Sequence, residues 1–238
     1  MSSDTLCSHP YAEYSSVLRE FLHLPGSPVA IGFAHGQNAI PEGLEGLSEK
    51  MRHCQMVGIA RDEGRAFFAR QEMHSCAGGA WALGLAPLTE SLKSGEFYFK
   101  LGKFQSAASC KRTIHNVPAL ESESIYATMY APLESTPFEP AVVVLIAEPF
   151  FLLKLTQAYL FKLGGRVASS FAGIQSLCAD TTVLPYQSGD LNISLGCDGS
   201  RKFSHIDKEY MVAGIPIEII PEIVAALPIV SGAPGSSS

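Results

Sequence analysis

The chain has 238 residues, of which 47% are hydrophobic and 17% charged, with a formal charge of −6. That composition belongs to a globular protein long enough to bury a substantial core, and it excludes a disordered or fibrous chain. The acidic balance supplies no basic face for nucleic acid, and the longest apolar run, PAVVVLIAEPFFLLKL, is too short to span a bilayer and is broken by Glu148, Pro149 and Lys154.

In chain order, the start MSSDTLCSHPYAEY lacks a basic segment followed by an apolar run, so no signal peptide is read there and a cytoplasmic location is expected. Six cysteines in that setting point to reduced thiols rather than a disulfide framework. Pro10 can occupy a first helical turn, after which Tyr14, Val17, Leu18, Phe21 and Leu22 share one face of a lead-in helix. LPGSP at 24–28 ends it, because Gly26 and two prolines cannot continue a helix.

Two stretches then run in parallel. SPVAIGFAH (27–35) resembles PAVVVLIAE (140–148), each a buried-strand pattern entered from proline. SEKMRHC, the turn RDEG, the strand-like RAFFAR and HSCAGGA match SSFAGIQSLC, the turn YQSGD, the strand-like LNISLG and GCDGSR. GEFYFKLGKFQSAASCKRTI (95–114) aligns with KEYMVAGIPIEIIPEIVAAL (208–227), placing Gly102 opposite Gly214. Between the halves, Ile125 to Tyr130 alternate as a half-buried strand does. The expected fold is therefore α+β: two related β/α half-units, an internal duplication, packed as one pseudo-symmetric domain over 8–230. The repeats fall at about 27–119 and 139–230, and the small polar residues 231–238 form an expected disordered tail.

The duplication places a cysteine pair in each half, Cys54 with Cys76 and Cys178 with Cys197, and a glycine stands two residues after both Cys76 and Cys197. Cys76-Ala77-Gly78-Gly79 opens a helix-compatible run, where unpaired N–H groups favour an anion and the glycines admit close approach by a ligand. Cys197-Asp198-Gly199-Ser200-Arg201 is the matching element. Arg201 is a candidate counter-charge there, while Asp198 opposes thiolate formation. Cys54 shares an apolar helical face with Leu47, Met51 and Gly58, and Cys178 one with Phe171, Ile174 and Leu177.

Three readings of these thiols follow. Cys54, Cys76, Cys178 and Cys197 meet between the halves and bind a metal, foremost an iron–sulfur cluster, with Cys110 as substitute. Alternatively they line a pocket for a small ligand at Gly78, Gly79, Gly199, Ser200 and Arg201. In the third reading they pack as small hydrophobes. The absence of any CxxC means that the fold alone must assemble a metal site. His53 and His74 flank the first pair as further ligands or bases, without counterparts in the second half, where Leu177 and Leu195 stand. His9, His23, His35, His115 and His205 are isolated. HExxH, GxSxG and Walker patterns are absent, so no hydrolase or nucleotide site is read. The partners this leaves are a small molecule or a redox protein, with neither nucleic acid nor membrane.

The succession PVAIGF, C-x-x-V-x-x-A from Cys54 to Ala60, CAGGAWALGL, a second strand with Glu-Pro, SLGCDGSR and GIPIEIIPEIV resembles the prokaryotic domain-of-unknown-function family 169. The resemblance runs from the lead-in helix to Val230. It implies one coherent domain and a role for Cys54, Cys76 and Cys197, and it brings no activity with it.

Overall fold

Helix α1 (Tyr11–Leu22) closes at His23 in the left-handed region, and the chain turns into strand β1 (Val29–Ala34). The computed structural model describes residues 10–232, so Cys7 and most of the expected disordered tail lie outside the described residues. Helix α2 (His53–Glu63) leads to β2 (Phe67–Arg70), then to the short helices α3 (Ala77–Ala82), α4 (Glu90–Lys93), α5 (Glu96–Lys100) and α6 (Ala107–Ile114). Strands β3 (Ala127–Pro132) and β4 (Val142–Ala147) follow, then α7 (Pro149–Leu160). A π-helix (Ser176–Val183) runs directly into α8 (Leu184–Ser188), and β5 (Asn192–Ser194), α9 (Asp198–Phe203), β6 (Met211–Pro216) and α10 (Ile220–Val230) complete the order.

The strands form one open sheet in the order β2-β3-β1-β4-β6-β5, antiparallel at every pairing. The two halves of the chain meet at its centre, where Val29–Ile31 of β1 pair with Val142–Val144 of β4. Both central strands are buried on both faces, which is why their sequences read as unbroken apolar runs. The side chains nevertheless alternate. Ala30, Val143, Leu145, Ala213 and Ile215 face α1, α7 and α10, whereas Ile31, Val142, Val144 and Val212 face α2 and the π-helix. The result is a mixed α/β architecture with helices on both sides of the sheet. Among the described residues no helix is long and apolar enough to cross a membrane.

Three expectations need correction. The 95–114 segment does not mirror 208–227, because Glu96–Lys100 and Ala107–Ile114 are helical whereas Met211–Pro216 is a strand, so Gly102 and Gly214 occupy unlike places. The aromatic run FYFK has strand propensity, but it lies outside the sheet, with Phe97 and Phe99 exposed, and local helix bonds satisfy its backbone. The helix carrying Cys178 begins at Ser176 rather than around 169, which leaves Phe171 exposed and off any helical face. Its polar "turn" at 186–190 is instead the end of α8, closed by Gly189 in the left-handed region.

Candidate functional site: a thiol cluster on the sheet face

Four of the predicted ligands come together. Cys54, second residue of α2, donates through its thiol to the Gly199 carbonyl of α9 (3.9 Å), and Ser204 at the end of α9 donates to the Cys54 carbonyl. Burial pushes the Cys54 thiol up to about 11, and the neighbouring Cys197 and Cys76 act in the same direction. Cys178, in the π-helix, is pushed well above the ordinary thiol value, first by burial and then by Cys76, Cys197 and Cys54. Cys54 and Cys178 therefore each lie near Cys76 and Cys197, and the four residues arrive on different elements.

Cys76 and Cys197 are the N-cap residues of α3 and α9. Around Cys197 the caps are reciprocal: Ser200 N–H donates to its sulfur (3.4 Å) and Cys197 N–H donates to the Ser200 hydroxyl (2.9 Å). Both helices are only six residues long, so the macrodipole expected at Cys76 has little length behind it. Gly79 lies where two thiol residues meet, since a Cβ there would stand 3.8 Å from the Cys76 sulfur and 3.9 Å from the Cys178 Cβ. A Cβ on Gly78 would come within 2.6 Å of the Gln175 amide nitrogen. The small residues of CAGG thus let α3 close on the π-helix.

Gln175 is the residue that sequence reading missed. It is 4% exposed, adopts a left-handed φ of 53°, and holds both its amide nitrogen and oxygen buried without a hydrogen-bond partner. An unpaired buried amide costs on the order of 1–3 kcal/mol per polar atom. Tyr98 of α5 brings its hydroxyl into the same space beside the Gln175 amide; burial first, then Cys178, Cys76 and Cys197, raise its pKa, while its interaction with Gln175 acts the other way. Lys103 pairs with Asp198 at the start of α9, which ties the α5–α6 segment to the Cys197 element and occupies the carboxylate expected to oppose that thiol.

Other predicted roles are absorbed by structure. The Arg201 guanidinium donates to the carbonyls of Leu195 (2.6 Å), Asp207 (2.8 Å) and Tyr210 (3.0 Å), which fixes the loops around α9. Cys110 is fully buried with Leu92, Ile114 and Ile174, apart from the four thiols. His53 has both ring nitrogens committed. Thr182 donates its hydroxyl to the Leu177 carbonyl (2.7 Å) and so accepts from Nε2 (3.1 Å), which leaves Nδ1 to accept from Tyr130 (2.8 Å). Burial lowers His53 to about 3 and His74 to about 4, so both are neutral at pH 7. His74 reaches Thr128 through Nε2 (3.1 Å), while its buried Nδ1 has no partner.

Among the described residues no three His, Cys, Asp or Glu side chains are grouped tightly enough to hold a metal ion. Cysteine lines neither of two concavities of about 480 and 220 Å3. The Cys54, Cys76, Cys110, Cys178 and Cys197 thiols are all free.

The open antiparallel sheet with helices on both faces defines a mixed α/β protein. The chain belongs to the DUF169 family, described as uncharacterised ArCR, which matches residues 17–226. It is similar to the uncharacterized protein MJ0308 of Methanocaldococcus jannaschii, with 42% identity over 216 residues, covering 90% of this chain and 92% of that protein. No solved structure matches.

Proposed function

We propose that the protein binds an iron–sulfur cluster through Cys54, Cys76, Cys178 and Cys197, with Gln175 as a buried polar neighbour of the bound group. One observation carries the reading: four free thiols from four elements in both halves share one region with an unpaired buried amide. Four ligands of a single zinc ion must all approach one centre to about 2.3 Å. In a cluster each thiolate holds its own iron, so the sulfurs stand farther apart. A cluster would therefore suit thiols spaced more widely than a single ion allows. N–H donation to sulfur, as from Ser200 to Cys197, is among the features that tune such clusters.

The same reading takes the two halves as a duplication. Strand order supports it, since β2-β3-β1 and β5-β6-β4 run inward from the two edges to meet at the centre. So does the placement of one thiol after the first strand and one at a helix N-cap after the second strand of each half. The negative charge and reduced cysteines suit a cytoplasmic redox or cofactor-handling protein.

The test is anaerobic reconstitution with iron and sulfide. The expected product is brown, with visible absorbance bleached by dithionite and with iron retained on desalting. Cys76→Ser and Cys197→Ser should each lose most of that iron, and Cys110→Ser none. A colourless product, or equal iron in Cys76→Ser, refutes the cluster. A second reading keeps the cysteines as packing and gives Gly78, Gly79, Gly199 and Ser200 a small organic ligand. The unpaired Gln175 amide favours it, because an amide can bond such a ligand without metal. That reading expects metabolite-induced thermal stabilisation that chelators leave unchanged.

A further inference from the structure

The π-helix has a second polar face that the thiols do not use. Asp180, two residues after Cys178, lines the cleft of about 480 Å3 against α6. That volume lies within the range of small-molecule sites. π-helical turns occur frequently at functional sites, because the widened turn re-aims side chains.

Arg112 of α6 reaches this cleft, and its guanidinium has one hydrogen-bond partner, the Ser109 hydroxyl (3.2 Å). Among the described residues it forms no ion pair, although the cleft also holds Asp180. Phe104 and Phe171 supply aromatic walls and Val117 an aliphatic one. Phe171 is 47% exposed.

We propose that this cleft binds a small organic acid: a carboxylate held by the Arg112 fork, on a flat aromatic body packed between Phe104 and Phe171. A planar guanidinium with free N–H donors matches a carboxylate in two parallel bonds, and aromatic rings prefer a flat apolar partner. One guanidinium with no second cation and no helix terminus aimed into the cleft suits a monoanion better than a phosphate. Asp180 leaves room for the assignment, because the residue is only 3% exposed and its carboxylate is engaged by the Ser194 hydroxyl (2.8 Å) rather than presented freely to the cleft. The proposal does not depend on the thiol cluster.

Benzoate is the probe, titrated into the full-length protein in metal-free buffer and followed by saturation-transfer NMR and calorimetry. Saturable binding with a Kd of about 1 mM is expected. Arg112→Gln should weaken it roughly tenfold, with Arg112→Lys intermediate and Phe171→Ala weaker than wild type. Arg112 is exposed, so its variants should melt with the parent protein. Benzyl alcohol and inorganic phosphate should not displace the probe. The assignment is overturned by absent benzoate saturation, by unchanged affinity in Arg112→Gln, or by full displacement with phosphate.

Discussion

Replacing Gly214 by alanine is expected to lower the melting temperature by roughly 6–12 °C, equivalent to about 3 kcal/mol for a chain of this size. Gly214 lies in β6 opposite Val144 of β4 and Asn192 of β5, on the face that bears the π-helix. A Cβ there would overlap the Thr181 carbonyl oxygen and lie 2.6 Å from its carbonyl carbon and 2.8 Å from its Cα. All three are backbone atoms of a fully buried residue, so no rotamer change relieves the overlap. The π-helix must lift from the sheet, taking Cys178, Asp180 and the Thr182 hydroxyl with it. Gly36→Ala is the matched control. Its φ is −169° with open space around it, and its stability should shift by no more than about 1 kcal/mol. Urea melts of the two variants at one pH separate a packing clash from a general intolerance of alanine, and a Gly214→Ala midpoint equal to that of Gly36→Ala would sink the argument.

Stability is expected to fall on acidification from about pH 6.5 to pH 4, at a net slope near 1.4 kcal/mol per pH unit. His53 and His74 have folded values of about 3 and 4, below the ordinary 6.5, so the unfolded chain binds more protons in that window. Their contribution is complete above pH 6.5 and is lost as pH falls. Asp180 works the opposite way. Its folded value of about 7 exceeds the ordinary 3.8, so between those limits the folded state binds the extra proton and stability rises as pH falls. Two histidines against one aspartate leave one proton of net dependence. Asp180→Asn removes the opposing member and should roughly double the acid slope while raising stability above pH 7 by a few kcal/mol. His53→Gln should flatten it. Denaturant melts across this range decide the matter, and an Asp180→Asn curve parallel to wild type would contradict the assignment.

The sheet was largely legible because Val29–Ala34 and Val142–Ala147 are buried on both faces and carry no competing pattern. The thiol placement was legible for a related reason. A cysteine before small residues at the end of a strand is constrained by local chain geometry, and both Cys76 and Cys197 cap short helices. What could not be read is what depends on packing between distant segments. The strand that stands beside β1 as β6 stands beside β4 is β3, read at first as part of the link between halves. The true partner was hidden by the aromatic run at 97–99, whose composition suits a strand and whose surroundings make it a helix. Gln175 carries no signal at all, being a neutral side chain whose only distinction is the absence of partners. Asp180 gave a weak one, as a single carboxylate inside the apolar run LCADTTVL. Arg112 gave none, because beside Lys111 in SCKRT it looks like any short basic pair on a helix face.

The sheet also has a waist. β1 and β4 pair only over Val29–Ile31 and Val142–Val144, half the span of the β1–β3 and β4–β6 ladders on either side. Cys54 and Cys76 belong to one side of that seam and Cys178 and Cys197 to the other. A group held by all four would therefore act as a suture across this short central ladder, and its loss would be felt first as freer hydrogen exchange at the seam amides, before the longer ladders beside it loosened.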